Sequence, residues 1–418
     1  MAKKSIYASV EIADREVRLV VVEIFNNRSN VLRTERAAHT GIANGKITDE
    51  KSIVEAIEQC VSLAQEALGY HIESVLLAIP ARDLKTVRTD VHIEIEDGTH
   101  TVRRFHIQQG LKSAMESVRY DDLILVNADR IVYSINGEVM DTMPLGFDTT
   151  DFDMEVDLLF ANRELVFSWT RAVEKAGLKV LDIAVDLYAA SKETGSLLQS
   201  ADAPVILIDL EADHTSLALL SDNKMAFGAI LDQGFRSFTA SLEQAYSLSE
   251  ATAWRLLENL FSSSEDKADD SIVYIEQQEG RRVELTARQL ANAVLPIIRS
   301  WIAEINGASA PILSKTRARY LITGEGSAIP ALSGMTALFN APADLYTVTS
   351  IGARNGAFAT CLGLAYVYED ASAISGKDRI SVNSNELEES IESISRFTKN
   401  EEGGFTKKLK RVMLTSKH

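Results

Sequence analysis

The chain carries one short pattern twice, about two hundred residues apart, and that repeat restricts its fold more than any other feature. In the segment Pro204 to Leu220, an apolar run from Val205 to Ile208 meets the polar turn Asp209-Leu210-Glu211-Ala212-Asp213-His214. A second apolar run, Leu217 to Leu220, follows. Near the start, a run opening at Tyr7 reaches Glu11-Ile12-Ala13-Asp14-Arg15-Glu16 and continues into Val17 to Val22. Each copy reads as a β-hairpin with a tight acidic turn. The repeat predicts a duplicated α/β fold.

At 418 residues the chain is long enough for two or more domains, each with its own core. Its net charge of −17 argues against a general nucleic-acid binder, so contact with an anionic surface requires a local basic patch. Cys60 and Cys361 both lie in apolar stretches and read as buried thiols in a reducing cytoplasm. Met1-Ala2-Lys3-Lys4 runs straight into a strand, unlike a signal peptide, and no apolar window is long enough to span a membrane. His214 sits in the second turn without visible ligand partners, and the histidines show no metal spacing.

After the first hairpin comes more strand, Asn30 to Arg36, and a turn-rich segment, Gly41-Ile42-Ala43-Asn44-Gly45-Lys46-Ile47-Thr48-Asp49. Thr48 or Asp49 caps a helix over Glu50 to Leu68, where Ile53, Ile57, Cys60 or Val61, and Ala64 form a one-sided apolar stripe. Ser74 to Ile79 reads as a buried strand. From Arg82 to Arg163 the pattern changes to one helix, Ile107 to Val118, among half-exposed strands: a compact α+β insertion. The α/β pattern then resumes. A long helix is expected over Ala287 to Ile305, a helix over Ala328 to Phe339, and a last core helix over Gly352 to Tyr368. Residues 371–402 are rich in Ser, Asn and Glu and read mostly as a flexible linker, with Leu387, Ile391 and Ile394 able to form a short helix.

Past Gly403 and Gly404 the character changes again. On a helical wheel Phe405, Leu409, Val412 and Met413 share one face; Lys407, Lys408, Lys410 and Arg411 share the other. No acidic residue follows Phe405. Such a segment suits the interface of an anionic membrane, each basic residue adding roughly 1 kcal/mol. The same pattern also suits an amphipathic helix docked on the protein itself. Four apolar residues bind weakly, so stable attachment calls for many assembled copies.

Taken together, these segments resemble FtsA, the bacterial cell-division family of the actin and sugar-kinase superfamily. The resemblance rests on the order of the segment Gly41 to Ile47, the inserted module, the run Arg171-Ala172-Val173-Glu174-Lys175-Ala176-Gly177-Leu178-Lys179-Val180, and Gly404 to Met413. It implies an actin-like, ribonuclease H-like duplicated α/β fold with an inserted α+β subdomain 1C in place of actin's 1B. Subdomain 1A would span residues 1–81 and 164–203, with residues 359–370 as its closing helix. Subdomain 1C would span 82–163, 2A residues 204–226 and 320–358, and 2B residues 227–319. The linker at 371–402 and a membrane-targeting amphipathic helix at 403–418 would follow. The family tethers FtsZ filaments to the cytoplasmic face of the cell membrane, assembles into actin-like filaments and recruits later divisome proteins, here through 1C. FtsZ's C-terminal peptide would dock on 2B. Where many relatives carry Glu-Pro-Arg on the long helix, this chain has Leu295-Pro296-Ile297, leaving Arg281, Arg282, Arg288 or Arg299 to meet an acidic peptide.

The resemblance also implies ATP with magnesium between the two hairpins and a third, glycine-rich turn. Phosphate loops need glycine for φ > 0 and for close backbone approach. In the first loop the family's Asp-Ile-Gly-Thr becomes Glu11-Ile12-Ala13-Asp14; in the second, Asp-Ile-Gly-x-Gly becomes Asp209-Leu210-Glu211-Ala212-Asp213. Four carboxylates would crowd the phosphates, each repulsion costing on the order of 3 kcal/mol at an effective dielectric near 20. Magnesium offsets only part of this, and two or three such terms outweigh a micromolar affinity of roughly 8 kcal/mol. The third turn, Thr323-Gly324-Glu325-Gly326-Ser327, is better kept, although its glycines also suit plain strand–helix packing. Gly234 matches one of a family glycine pair, and Thr252 and Arg255 stand where relatives place a ribose-contacting Glu and Lys. The loops weigh against ATP hydrolysis and against ATP binding.

Two other readings share the superfamily. A sugar-kinase-like phosphotransferase needs intact phosphate glycines, which this chain lacks. A type IV pilus assembly protein of the PilM kind also carries subdomain 1C but normally lacks the linker and basic tail.

Overall fold

The computed structural model describes residues 4–25, 28–260, 270–278, 281–376 and 380–382. Two five-stranded sheets repeat one plan. In the first half, β1 (Lys4–Ile12), β2 (Glu16–Phe25) and β3 (Arg28–Ala38) form an antiparallel meander. The parallel strands β4 (Ser74–Ile79) and β5 (Lys179–Val185) extend it in the order β5-β4-β1-β2-β3. In the second half, the meander is β6 (Val205–Leu210), β7 (Thr215–Ser221) and β8 (Lys224–Leu231). The parallel strands β9 (Arg319–Thr323) and β10 (Ala343–Leu345) give β8-β7-β6-β9-β10. The duplicated hairpins of the sequence are therefore the centres of two topologically equivalent sheets.

Residues 5–12 are all buried, so both faces of the first sheet are covered, as its parallel strands require. The helices Glu50–Leu68 and Ala359–Ser375 pack on it. Asp49 caps the former, accepting from Ser52 N at 3.3 Å, and the stripe Ile53, Ile57, Cys60 and Ala64 enters the core. The second core gathers around Phe238, Trp301, Tyr320 and the helix Ala287–Leu313.

The insertion is a separate four-stranded sheet, Lys85–Glu94, Asp151–Asn162, Leu123–Ile135 and Glu138–Met140 in spatial order, with helix Arg104–Ser117 packed on it. It has its own core of Ile93, Ile107, Phe152, Met154 and Leu158. It is braced against the second half. Lys224 Nζ lies 3.1 Å from the buried Asp157 carboxylate, and Met225 N donates to Asp129 Oδ2 at 2.7 Å.

Several elements differ from expectation. The stretch 328–339 forms only a short helix, Pro330–Ser333, flanked by 3-10 turns, because Pro330 and Gly334 bracket it. The long helix runs past Ile305 to Leu313 and contains both Pro296 and Pro311. The last helix starts at Ala359 and continues to Ser375, where Gly376 in the left-handed region ends it. Residues 380–382, expected in the linker, are docked instead. β1 pairs with β4 only at Ser9 and Val10, and Ser381 serves the groups left over. Ser381 N donates to Ile6 O at 3.1 Å, and its Oγ accepts from Ala8 N at 2.8 Å.

Candidate functional site

The two acidic turns meet in the cleft between the halves. Each is closed by its own backbone: Ala13 N donates to Glu16 O at 2.9 Å and Glu211 N to His214 O at 3.0 Å. The turns also bond to each other. Asp14 Oδ2 accepts from Asp213 N at 2.7 Å, and the Asp14 carboxylate accepts from His214 Nδ1 at 2.9 Å. A cavity of about 40 Å³ remains, lined by Glu11, Ala13, Asp14, Asp209, Glu211 and His214 among others. That is room for a few waters and not for a triphosphate.

Arg18 occupies the centre. The hairpin register sets it opposite Glu11, and it is 1 % exposed. Its Nη1 and Nη2 donate to Glu211 Oε1 and Oε2 at 2.9 and 2.7 Å, a bidentate pair across the cleft. Nε donates to Glu16 at 2.5 Å, Nη1 also reaches Glu11 at 3.3 Å and Ala357 O at 3.3 Å, and Nη2 reaches Glu325 at 3.4 Å. All three guanidinium nitrogens are engaged. Around this centre Arg36 joins Glu16, at 2.7 Å, to Glu325. Arg15 pairs with Asp213 at 2.8 Å, and Arg236 reaches the same carboxylate at 2.9 Å.

The electrostatics follow from burial and pairing. Burial works against the Arg18 charge, yet Glu211 and Glu11 beside it hold its pKa well above the ordinary value. Burial pushes Glu11 up to about 8 despite the pull of Arg18. It lifts Asp209 far above the carboxylate range and Asp186 to about 7. Burial also opposes the Asp14 charge, but the hydrogen bond and charge of His214 outweigh it and keep that carboxyl low. His214 rises to about 9, burial being overcome by Asp14, so the two form an ion pair at neutral pH.

The four carboxylates expected to stand bare toward a phosphate are thus all partnered: Glu11 and Glu211 by Arg18, Asp14 by His214, and Asp213 by Arg15 and Arg236. Two of the turn amides that would face a phosphate are engaged as well: Asp213 N is bound to Asp14, and Glu325 N donates to Glu211 Oε1 at 3.3 Å. Between the two turns the residues present do not fit a triphosphate with magnesium.

The glycines of the third turn pack strand against turn. At Gly324, with φ +83°, a Cβ would fall 2.4 Å from Asp209 Oδ1; at Gly326 it would meet the Leu210 side chain. Ser327 Oγ closes the turn by donating to Gly324 O at 2.7 Å. A Cβ on Gly234 would lie 2.3 Å from the carbonyl oxygens of Glu211 and Ala212, so this glycine lets helix Arg236–Tyr246 approach the second turn. Beyond Arg18 a wider cavity of about 540 Å³ opens, with the Phe235 and Trp254 rings in tilted contact, centroids 4.6 Å apart, in its wall. Glu250, Ala251 and Trp254 of the helix Glu250–Leu260 line it. Thr252 and Arg255 do not: Thr252 is turned to Ser249, whose Oγ donates to it at 3.0 Å.

No protein-family model matches the chain. It is, however, 24% identical over 376 residues to the cell division protein FtsA of Streptococcus pneumoniae, covering 87% of this chain and 80% of that one. FtsA of Enterococcus faecalis is 21% identical over 372 residues (87% and 83%), and FtsA of Bacillus subtilis is 18% identical over 383 residues (87% and 83%). The chain is a divergent relative of FtsA. Solved structures show the fold to be actin-like. A PilM–PilN type IV pilus biogenesis complex matches with a TM-score of 0.57 at 15% identity, covering 86% of this chain and 97% of that one. MreB5 of Spiroplasma citri bound to ADP matches with a TM-score of 0.51 at 10% identity (89% and 99%).

In this FtsA relative the arginines expected to meet a partner lie on the second half. Arg282 is exposed beside Glu284 at 2.6 Å, Arg288 is exposed and pairs with Asp270 at 2.8 Å, and Arg299 is exposed on the same helix as Arg288, about three turns on. Arg281 stands opposite Gln278 in a two-stranded ribbon. Leu295, where relatives were expected to carry a charge, is a core residue. Phe405, Lys407, Lys408, Leu409, Lys410, Arg411, Val412 and Met413 lie outside the described residues.

Sequence reasoning named the carboxylates and missed their cations, Arg15, Arg18, Arg36 and Arg236. One signal was present: Arg18 interrupts a strand that is otherwise Val17 and Leu19 to Val22, and a charge inside an apolar strand needs a buried partner.

Proposed function

We propose that this protein is a cell-division scaffold of the FtsA type. It would attach FtsZ filaments to the cytoplasmic face of the cell membrane through the apolar and basic segment Phe405 to Met413. It would assemble with itself through actin-like contacts and receive later division proteins on the inserted module. The observation that carries the reading is the similarity to FtsA from several bacteria over most of both chains. Among the described residues no helix is long and apolar enough to cross a membrane, which is compatible with peripheral attachment. In a chain of net charge −17, the tail concentrates the basic residues that an anionic leaflet attracts. The acidic C-terminal peptide of FtsZ would meet Arg282, Arg288 and Arg299, with Arg281 beside them. The PilM likeness concerns the fold and does not favour a pilus role.

Vesicle co-sedimentation tests this. Full-length protein should pellet with anionic vesicles and carry FtsZ with it. Leu409→Glu should release both, and Arg288→Glu/Arg299→Glu should release FtsZ alone. Retention of the Leu409→Glu variant on the vesicles would refute the tail as anchor, and FtsZ left in the supernatant by the wild type would refute the tether.

A further inference from the structure

In an actin-like fold the two halves meet over a cleft, and something must hold them together there. In this chain the charges on the two walls are complementary. The first half contributes Arg15, Arg18 and Arg36; the second contributes Asp213, Glu211 and Glu325. One contact runs the other way, with Asp14 of the first half taking His214 and Asp213 N of the second. Every one of these pairs joins residues about two or three hundred positions apart in sequence.

We infer that Arg18 is a built-in occupant of the cleft: its guanidinium bridges the halves where a nucleotide would otherwise do so, and the protein is held closed without any nucleotide. Three observations carry this. Arg18 is fully enclosed and bidentate to Glu211 across the cleft. The two turns are bonded directly to each other, leaving about 40 Å³ between them, and the wider cavity lies on the far side of Arg18. Two of the turn amides, Asp213 N and Glu325 N, are already used. A phosphate group entering between the turns must displace Glu211 from Arg18 and then share the space with Glu11, Glu16 and Glu325, and the arginines that face the wider cavity, Arg15, Arg36 and Arg236, are already paired with Asp213, Glu16, Glu325 and Glu250. Closure is therefore a constant property of the chain, and its assembly state is set by protein and membrane contacts and not by a nucleotide cycle. The inference stands on the cleft alone and is independent of the vesicle result.

The test uses the full-length chain. Calorimetry with Mg-ATP and Mg-ADP at about 1 mM should give no binding heat for the wild type. Its radius of gyration by X-ray scattering should be the same with and without Mg-ATP. Arg18→Ser should increase that radius. Where Arg18→Ser does not fold, Glu211→Gln serves: it keeps the shape and removes one charge, and amide exchange at 211–214 and 324–326 should quicken by about tenfold or more. Three results would each overturn the inference: Mg-ATP binding by the wild type with a Kd in the micromolar range, contraction of the wild type on adding Mg-ATP, or unchanged exchange at both segments in Glu211→Gln.

Discussion

The Arg18 guanidinium grips both carboxylate oxygens of Glu211, at 2.9 and 2.7 Å, from the opposite wall of the cleft. Both side chains are buried, so neither charge has water to fall back on. Arg18→Ala therefore strands the Glu211 charge in the interior, and breaking a buried pair in this way costs roughly 3–5 kcal/mol. Arg18→Lys keeps the charge but loses the planar fork, and belongs between the wild type and Arg18→Ala. Urea unfolding of the three proteins gives the order directly, and equal midpoints would contradict it.

Stability should fall as the solution is made alkaline. Burial lifts Glu11 to about 8 and Asp129, Asp186 and Glu193 to about 7, all from ordinary values near 4. His214 is lifted to about 9 because Asp14 overcomes its burial. Each group binds a proton more tightly folded than unfolded, so its contribution is complete below the unfolded pKa and is lost as pH rises through the folded one. Asp14 and Glu16, held low, act oppositely, but only toward the acid end. The melting temperature should decline between about pH 6 and pH 9, and His214→Gln should flatten the upper part of that decline. A wild-type curve that climbs over this range would rule the assignment out.

Gly324→Ala should destabilise the third turn. The residue sits at φ +83°, and the new methyl carbon would lie 2.4 Å from Asp209 Oδ1 and 2.7 Å from Leu210 O. Left-handed backbone alone costs an alanine about 1 kcal/mol, and the clash adds to it. A lowered melting temperature, with Asp209→Ala giving partial relief, is the expected outcome. Indifference to the substitution would show that the turn is not packed in this way.

Truncation should separate the docked segment from the rest of the tail. A chain ending at 376 loses the Ser381 bonds to Ile6 and Ala8, a cost of about 1–3 kcal/mol for hydrogen bonds at buried strand positions. A chain ending at 382 keeps them and should unfold at the wild-type urea concentration. Identical midpoints for the two truncations would mean the docking contributes nothing.

Most of the architecture was readable in the sequence because it is local. The hairpins, the helix over Glu50 to Leu68 and the inserted module follow from apolar periodicity and turn chemistry, which act over a few residues. The exceptions have causes that periodicity does not resolve: Pro330 and Gly334 shorten one helix, and the part of β1 that β4 leaves unpaired captures residues 380–382. The site was half legible. Its carboxylates stood out, Glu211 and Asp213 as replacements for turn glycines, whereas Thr252 and Arg255 were placed by resemblance, and the structure sets Trp254 at the cavity instead.

What the sequence determined by itself was a duplicated α/β fold with acidic turns at matching places, because hairpins and stripes are written in neighbouring residues. What only the tertiary structure decided was the meaning of those acids. Read along the chain, Glu11, Asp14, Glu211 and Asp213 are an excess of negative charge at a site for phosphate. In the folded molecule Arg18 meets Glu211 from 193 positions away and Arg15 meets Asp213 from 198, and Asp14, Glu211 and Asp213 become the anionic half of a closed ionic contact. Charge pairing depends on distance in space, and a linear sequence does not carry that distance.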